Sequence, residues 1–386
     1  MELPRCRNLR GRCGSGLLRS ASCMTVHGQT TPGSRSAFLR RQACVRLKVE
    51  RVQGQLLQPA SLPTSERLPQ ACAASLLLRA SNENQCSMNV LLIGFGYIGS
   101  YLYPRLTAAG HDVVVCDRRL ESLAGVSTAL PCAYQELTVK DFREFDVILW
   151  FAGHSSVPMS IKDPDGAVAN NCFDLLSLAR RKLPRTRLIY ASTGSVYSTE
   201  LSDALSMPPP ELAENETKLS PVNPYDCSKI SFDALARCFA SNVVGLRLGT
   251  VCGYGPKLRA ELIFNAMNRS ALERRFVPVA NVHAWRSILF LDDLAHYVLA
   301  LMEVRDELPQ IINAGTQNLT IGELALAIAD FHGVPTVRQP DAKTYSFRMN
   351  CDQMRALCGP PRSVSIAQRC QEFSASYPAC HVELAS

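Results

Sequence analysis

A glycine-rich turn constrains the fold of this chain more than any other feature. Residues 89–93 form a short, mostly aliphatic run, residues 94–99 read G-x-G-x-x-G, and a helical pattern of apolar residues follows. Glycines at this spacing, between a strand and a helix, allow a tight turn, close approach of the backbone to a pyrophosphate, and close packing of helix on strand. The pattern predicts a dinucleotide-binding turn with contacts from Gly94, Gly96, Tyr97, Ile98 and Gly99. A structural turn that binds no phosphate is the alternative interpretation.

Short apolar runs alternate with helical patterns as far as residue 250. Candidate strands cover 113–116, 147–151, 187–191 and 243–248, and candidate helices cover 165–182 and 224–240. Because buried strands that alternate with helices form right-handed β-α-β units, we predict an α/β fold with a doubly wound, mostly parallel Rossmann sheet. Residues 88–250 are assigned to this dinucleotide-binding domain. Residues 251–375, with helices near 292–304 and 320–331, are assigned to a smaller substrate-binding lobe, some segments of which return to the Rossmann core.

The first 87 residues differ in composition from the rest of the chain. They contain thirteen Lys or Arg and four acidic residues, a net charge of +9, so the other 299 residues carry −2 of the total of +7. They also lack the long apolar stretch of a secretory signal. We expect either a disordered or mis-assigned extension before a start at Met88, with a cytoplasmic protein, or a transit peptide that directs the protein to an organelle. Because the basic residues lie outside the predicted fold, they do not predict binding of nucleic acid.

The 16 cysteines do not predict a metal site. Six lie in the first 87 residues, and no two of the 16 form a C-x-x-C pair of the kind that binds zinc. Buried, reduced thiols that act as small apolar side chains are the expected state. No apolar run reaches the roughly 18 residues that a membrane span requires, so we expect no membrane partner.

The second predicted strand is followed by an acidic residue. Asp117 lies about 20 residues beyond the glycine turn, where a carboxylate can accept hydrogen bonds from both hydroxyls of an adenosine ribose. A carboxylate at that position repels a 2′-phosphate, so the sequence favours NAD over NADP. Arg118 is adjacent and could accommodate a 2′-phosphate, which keeps NADP as the alternative.

Two residues with suitable proton chemistry lie four positions apart in the predicted helix 224–240. Tyr225 and Lys229 therefore share a helical face, and Pro224 suits the first turn. A phenol has an ordinary pKa of about 10, which a nearby ammonium and a positive nicotinamide ring lower. We predict that Tyr225 is the base and that Lys229 lowers its pKa and holds the nicotinamide ribose. Since this spacing is common by chance, an ordinary amphipathic face is the alternative.

A cluster of hydroxyls follows the predicted strand 187–191. Hydroxyls at the carboxyl end of a parallel strand lie where doubly wound sheets bind ligands. Thr193 is the predicted hydrogen-bond partner of a substrate oxygen, and Ser192 and Ser195 are competing candidates. Capping of a turn by these hydroxyls is the structural alternative.

Taken together, these segments give the chain from Met88 to about residue 370 a family resemblance. It resembles the extended short-chain dehydrogenase/reductases, in particular the NAD-dependent epimerase/dehydratase family and its nucleotide-sugar 4-epimerases. The segments that carry the resemblance are the glycine turn, Phe151-Ala152-Gly153, Asn170-Asn171, residues 192–197, the Tyr225/Lys229 pair and residues 286–293. The resemblance implies that Thr193 is the catalytic hydroxyl, that Phe151, Ala152 and Gly153 line the NAD, and that Arg286 binds a substrate diphosphate.

Three segments depart from the family pattern. Family 4,6-dehydratases carry Asp-Glu directly after the catalytic Thr, whereas this chain has Gly194-Ser195, which disfavours dehydration. Thr250 stands where the family often has an Asn that contacts the nucleotide sugar, and Asp174-Leu175 replace a usual Gly-Thr pair. We expect Thr250 to contribute to the substrate site, while the particular sugar stays open.

The sequence therefore predicts an enzyme, an NAD-dependent epimerase that acts on a nucleotide-activated sugar through a transient keto compound. A reductase or dehydrogenase of a sugar or other secondary alcohol, with an exchangeable cofactor, is one alternative. A non-catalytic NAD-binding sensor or scaffold is another. The resemblance also makes a homodimer plausible.

Three further residues have structural interpretations. His154 follows the Phe-Ala-Gly segment and is expected to be an ordinary loop residue, with contact to cofactor or substrate as the alternative. Asp292 and Asp293 are expected to cap the helix near 292–304 rather than to take part in catalysis.

Overall fold

The computed structural model describes residues 87–198, 208–216, 219–238, 242–342 and 344–378, so the expectations for residues 1–86 fall outside it. The strands are β1 (Asn89–Ile93), β2 (Asp112–Cys116), β3 (Ala129–Leu130), β4 (Val147–Trp150), β5 (Arg187–Thr193), β6 (Glu211–Leu212), β7 (Val243–Leu248), β8 (Thr250–Cys252), β9 (Val277–Val279), β10 (Trp285–Phe290), β11 (Ile311–Ala314), β12 (Gln317–Thr320), β13 (Thr336–Arg338) and β14 (Arg348–Met349). The α-helices are α1 (Tyr97–Ala108), α2 (Val157–Lys162), α3 (Pro164–Val168), α4 (Leu175–Arg181), α5 (Pro224–Ala236), α6 (Ile263–Arg274), α7 (Leu291–Glu303), α8 (Ile321–His332), α9 (Asp352–Cys358) and α10 (Ile366–Ser376).

The central element is a parallel sheet of seven strands. Its order is β11-β7-β5-β4-β1-β2-β3, and each neighbouring pair runs parallel. The chain builds the sheet outward from β1 to β3 on one side and from β4 onward on the other, so the winding reverses between β1 and β4. Doubly wound sheets bind ligands in the crevice at such a reversal, beyond the carboxyl ends of the strands. The predicted fold class is confirmed.

Both faces of this sheet are buried, which explains why its strands read as continuous apolar runs. Val90 and Leu92 of β1 belong to a cluster that includes side chains of α1 and α7. Leu91 and Ile93 point the opposite way, into a cluster with side chains of α4 and α5. The alternation of side chains along a strand therefore divides β1 between two helical layers.

Residues beyond β7 form smaller sheets around an apolar cluster of their own. Strand β10 pairs in parallel with β8 and antiparallel with β12, and β13 pairs in parallel with β9. Phe264, Phe290 and Phe373 lie in the buried cluster beneath these strands. Strand β11 instead pairs with β7, so this part of the chain returns once to the central sheet. The assignment of residues 251–375 to a substrate-binding lobe stays a prediction.

The predicted helix 165–182 is not continuous. It is divided into α3, a π-helical segment (Ala169–Asp174) and α4. Asn171 is fully buried in the π-helical segment, where its side chain donates to the His154 carbonyl at 3.0 Å and to Ser228 Oγ at 2.9 Å. These two hydrogen bonds fix the segment against the loop after β4 and against α5.

A buried ion pair connects α5 to the central sheet. Arg247 Nε of β7 lies 3.0 Å from Asp233 Oδ2 of α5, and the two side chains are 1% and 2% exposed. The same carboxylate accepts hydrogen bonds from Tyr190 at 2.9 Å and Ser192 at 3.0 Å, both on β5. Because an unpaired charge at this depth is strongly unfavourable, this network fixes the position of α5 on β5.

We expect Asp233→Ala to lower the free energy of unfolding by about 3–5 kcal/mol, because it leaves the Arg247 guanidinium buried without a counter-charge. Urea unfolding followed by circular dichroism measures the change. Arg338→Ala is the matched control: it removes an arginine from the Arg338–Asp341 pair, whose side chains are 52% and 54% exposed, and should cost less than about 1 kcal/mol. Equal losses in the two variants would contradict this account of the network.

Candidate active site

The glycine turn follows β1 directly and faces the crevice between β1 and β4. Gly94 has φ +94°, and a side chain there would meet the backbone nitrogen of Ala152 at 2.4 Å. A side chain at Gly99 would meet the Gly94 carbonyl at 2.0 Å, whereas one at Gly96 would have nothing within 4 Å. Gly94 and Gly99 therefore allow the turn to pack, and Gly96 leaves open space at the N-terminus of α1, which has no capping side chain.

The structure places Asp117 beside this turn, as predicted. Its Oδ2 accepts the Phe95 N–H at 2.8 Å, and its Oδ1 accepts the Arg119 N–H at 2.9 Å. The side chain is 9% exposed and lies 3.7 Å from the Arg119 guanidinium. A carboxylate oxygen can accept more than one hydrogen bond, so this fixed carboxylate retains capacity for ribose hydroxyls.

The segment 151–153 lies on the opposite side of the crevice. The Phe151 N–H donates to the Ile93 carbonyl at 2.9 Å, which keeps the end of β4 level with the glycine turn. Gly153 has φ +152°, and a side chain there would meet Asn171 Oδ1 at 2.5 Å. His154 Nε2 lies 3.5 Å from Asp163, and its backbone N–H donates to Asn170, which supports the structural interpretation of this loop residue.

A segment that the sequence did not point to crosses the turn. The Tyr97 hydroxyl of α1 donates to the Gly253 carbonyl at 2.6 Å, and Lys257 donates to the carbonyls of Phe95 and, at 2.9 Å, Ser122. Arg259 donates to the Ser155 carbonyl at 3.0 Å. Residues 253–259 thus bind the chain on both sides of the crevice. The only sequence signal was their basic residues, which have no periodicity.

The three predicted catalytic side chains meet at the carboxyl end of β5. Asn223 caps α5 by accepting the Asp226 N–H at 3.0 Å, and Pro224 occupies the first helical position. This start places Tyr225 in polar contact with the Thr193 side chain. Lys229, 5% exposed, donates to the Ala191 carbonyl at 2.8 Å and lies 6.0 Å from the centre of the Tyr225 ring.

Burial dominates the proton affinities of this site. The pKa of Tyr225 is raised above its ordinary value by burial and by the nearby Asp226, while Thr193 and Arg259 act in the opposite direction. Burial lowers the pKa of Lys229 to about 8, opposed by Asp233. The Lys229 ammonium is directed at the Ala191 carbonyl, and its effect on the pKa of Tyr225 stays a prediction.

A hydrogen-bonded chain extends from this site to a buried acid. Thr193 Oγ1 and Ser195 Oγ lie 2.7 Å apart, and Ser195 donates to Asp226 Oδ1 at 2.5 Å. Asp226 Oδ2 accepts from Asn223 at 2.6 Å and from the Tyr345 hydroxyl at 3.4 Å. Sequence reasoning missed Asp226, because an acid in the first turn of a helix has an ordinary interpretation. It missed Tyr345 because no local pattern connects residues so far apart.

Arg286 does not face an open groove. It is 8% exposed and donates to the backbone carbonyls of Tyr345 and Trp285 and to the Thr344 hydroxyl. Burial lowers its pKa to about 10. Arg286, the residue predicted to bind a substrate diphosphate, thus donates its hydrogen bonds to residues 344 and 345 of its own chain.

The other predicted positions have structural contacts. Thr250 is half-buried on β8, opposite Ile288 of β10. Asp292 and Asp293 lie in the first turn of α7 but do not cap it; both bind the guanidinium of Arg369. Within the described residues, no cluster of His, Cys, Asp and Glu could hold a metal ion, and no helix is long and apolar enough to cross a membrane.

Comparison with known proteins adds a family to this geometry. The sequence pattern of the NAD dependent epimerase/dehydratase family matches residues 90–315. A UDP-glucose 4-epimerase of Lacticaseibacillus casei is 28% identical over 181 residues, which are 43% of this chain and 52% of that protein. The chain spans about half the length of the UDP-glucose 4-epimerases that it matches.

Solved structures share the fold at low identity. UDP-glucuronic acid 4-epimerase from Bacillus cereus, in complex with UDP-glucuronic acid and NAD, superposes with a TM-score of 0.64 at 20% identity, over 75% of this chain and 100% of that one. An NAD dependent NDP-hexosamine 5,6-dehydratase involved in tunicamycin biosynthesis superposes with a TM-score of 0.62 at 23% identity, over 75% and 97%. At these identities the likeness shows the fold alone.

Substitutions at two glycines test the proposed NAD-binding role of the glycine turn separately from its role in the fold. Gly96→Ala should leave the stability of the protein within about 1 kcal/mol of the original, because the added methyl meets no neighbour, yet weaken NAD binding about tenfold or more. Gly99→Ala should instead destabilise the protein, although alanine is favoured within helices, because its methyl would overlap the Gly94 carbonyl. Calorimetric titration with NAD and urea unfolding measure the two effects. Unchanged NAD affinity in Gly96→Ala would show that Gly96 is not part of the NAD-binding site.

Proposed function

The chain belongs to the NAD-dependent epimerase/dehydratase family, and from this premise we propose that it is an epimerase that inverts a hydroxyl-bearing carbon of a nucleotide-activated sugar. The observation that carries the proposal is the meeting of Thr193, Tyr225 and Lys229 at the end of β5, beside the crevice of the glycine turn. The predicted roles of these side chains are part of the proposal.

The residues at the crevice fit NAD. The open space at Gly96, next to the uncapped N-terminus of α1, suits a pyrophosphate, and Asp117 suits the adenosine ribose. Phe151, Ala152 and Gly153 form the opposite wall, and Tyr97 and Ile98 contribute the first N–H groups of the helix. When bound, NAD supplies an acceptor that takes a hydride from the sugar and returns it.

The chain's own residues handle the proton. Tyr225 as phenolate removes the proton of the reacting hydroxyl, and Thr193 hydrogen-bonds the same oxygen and orients it. Lys229 holds the nicotinamide ribose and keeps a positive charge near the phenolate. When the transient keto sugar is reduced again on its other face, Tyr225 would return the proton to the same oxygen, which would give the epimer.

Epimerisation is favoured over dehydration by the residues after Thr193. Gly194 and Ser195 have no acidic group to donate a proton to a leaving hydroxyl. Several of the related proteins are named UDP-glucose 4-epimerase, which supports a UDP-sugar as substrate. For such a substrate, we propose that Thr250 contacts the nucleotide sugar and that Arg286 binds the diphosphate after releasing Thr344 and Tyr345.

The exposed apolar side chains support a homodimer. Met159 and Ile161 of α2 and Phe173 of the π-helical segment are 47%, 62% and 61% exposed. They belong to elements packed beside α5, so pairing of two copies through this surface would cover them and support the helix that carries Tyr225. A cytoplasmic location stays a prediction from the sequence.

The function is tested with the full chain, purified without added cofactor and incubated with UDP-glucose and, separately, UDP-glucuronic acid. We expect NAD to be released on acid denaturation and an isomeric sugar product to form with no net change in cofactor redox state. Tyr225→Phe should lower turnover about 10²–10⁴-fold while NAD affinity stays near that of the original protein.

Tyr377→Phe is the control for this experiment, because that hydroxyl donates to Glu273 of α6 at 2.5 Å and its loss should leave turnover unchanged. Stoichiometric consumption of free cofactor would instead identify a dehydrogenase or reductase. Full activity of Tyr225→Phe would contradict the assigned base.

The proposed role of Arg286, whose guanidinium contacts Thr344 and Tyr345, can be tested with UDP alone. Arg286→Gln should weaken UDP binding about tenfold or more, because a charged hydrogen bond to the diphosphate is lost. Thr344→Ala should strengthen binding about threefold to tenfold, because one competing acceptor is removed. Arg338→Gln, on β13, controls for the loss of a positive charge. Isothermal titration measures all three, and equal UDP affinity in Arg286→Gln and the original protein would exclude Arg286 from the site.

A further inference from the structure

Among the described residues, Asp226 is the one acid whose side chain is hydrogen-bonded to Ser195, the partner of the proposed catalytic Thr193. Its side chain has no exposed surface, and it follows Tyr225 directly in the first turn of α5. Thr193 Oγ1 and Ser195 Oγ lie 2.7 Å apart, and Ser195 donates to Asp226 Oδ1 at 2.5 Å. The Thr193 hydroxyl also interacts with the Tyr225 phenol and lowers its pKa. Two hydroxyls, each able to donate and to accept, therefore separate a phenol from a carboxylate.

We propose that Asp226 is a positioning residue that stores the proton of Tyr225. In the resting arrangement the phenol is protonated and the carboxylate is charged. When the positive cofactor ring is present beside the phenol, the phenol O–H bond breaks and a new O–H bond forms at Asp226. Thr193 and Ser195 each give up one proton and take another, so the site gains no proton and loses none.

The surroundings of Asp226 suit a carboxyl group that takes up a proton. Burial raises its pKa, while hydrogen bonds from Ser195, Asn223 and Tyr345 oppose that change. After the transfer, three hydrogen bonds in series point toward the phenolate: Asp226 to Ser195, Ser195 to Thr193, and Thr193 to Tyr225. Such a series stabilises a charge at its end more than a single donor does.

Other polar and charged groups face Tyr225 and Asp226. Arg259 on the crossing segment favours the phenolate, and Lys229 on α5 lies 6.0 Å from the centre of the Tyr225 ring. The Tyr345 hydroxyl contacts Asp226 from the segment after β13. Asp233 lies on the far side of Lys229 and favours its charged form. None of these groups offers the phenol proton a hydrogen-bonded route to a carboxylate. The inference rests on the proposed base Tyr225 but on no particular sugar.

The test uses the full chain from which any bound NAD has been removed, and it follows tyrosinate and carboxylic acid signals on addition of NAD, without any sugar. Ultraviolet difference absorbance, corrected with Tyr225→Phe, reports the phenolate, and infrared difference spectra report a protonated carboxyl group. We expect a tyrosinate signal that is constant across neutral pH, together with a carboxylic acid band. NADH, whose ring is neutral, should produce neither.

In Asp226→Asn the phenol proton must leave for solvent, so the carboxylic acid band should be absent. The tyrosinate fraction should then rise about tenfold per pH unit at pH values below the pKa of Tyr225. Ser195→Ala should likewise weaken the acid band and make the tyrosinate signal depend on pH. The state with the proton on Asp226 loses two of its three hydrogen bonds in that variant. Cys227→Ser, an exposed position on the same helix, should match the original protein.

The proposal is overturned if the tyrosinate signal has the same pH dependence in the original protein and in Asp226→Asn, or if NAD produces no acid band in the original protein. Because the spectra need no sugar, failure of the epimerase assignment is recognised separately, by the absence of an isomeric product. Ser195→Ala keeps the test decisive if Asp226→Asn does not fold.

Discussion

The buried ion pair between Asp233 and Arg247 is the interaction on which the candidate site depends most. Helix α5 carries Tyr225 and Lys229, whereas Thr193 is on β5, so the site exists only while helix and strand keep one relative position. The Asp233 carboxylate contacts Arg247 of β7 and two side chains of β5 at once. Arg247 continues the network to the Tyr197 hydroxyl, which donates to Asn313 of β11 at 2.9 Å. Charges buried at this depth tolerate little displacement, because a lengthened pair loses attraction but regains no water.

Sequence reasoning succeeded where the pattern is local. Strands β1 and β7 begin and end where predicted, and the turn after β1 and the start of α5 have the predicted conformations. In each case neighbouring residues determine the backbone: apolar runs for the strands, glycines for the turn, and Asn223 with Pro224 for the start of the helix. The predicted cofactor side of the candidate site is built largely from such segments, which explains why the sequence offers candidate residues for it.

The remainder depends on contacts between distant residues, which no local pattern encodes. Strand β3 has two half-buried residues and is defined only by its pairing with β2. Lys257 reaches the carbonyl of Phe95, and Tyr345 reaches Asn223 at 2.6 Å, each across more than a hundred residues. Arg286 could be recognised from its motif, but not the segment that covers it. For the substrate side of the site, the sequence therefore predicts individual residues but not the contacts between them.

The contact between Arg286 and residues 344–345 can also be viewed as competition. Thr344 and Tyr345 behave as a tethered ligand that stays close to the guanidinium, so any incoming anion competes with a high local concentration of acceptors. A monovalent anion with one or two oxygens gains little from the exchange, whereas a diphosphate replaces the neutral acceptors with several charged oxygens. The Tyr345 hydroxyl also contacts Asn223 and Asp226, so in the proposed function the same exchange would extend to a contact of the Asp226 carboxylate. In the proposed function, the contacts of Arg286 with Thr344 and Tyr345 would therefore set the minimum charge that a ligand needs in order to displace them.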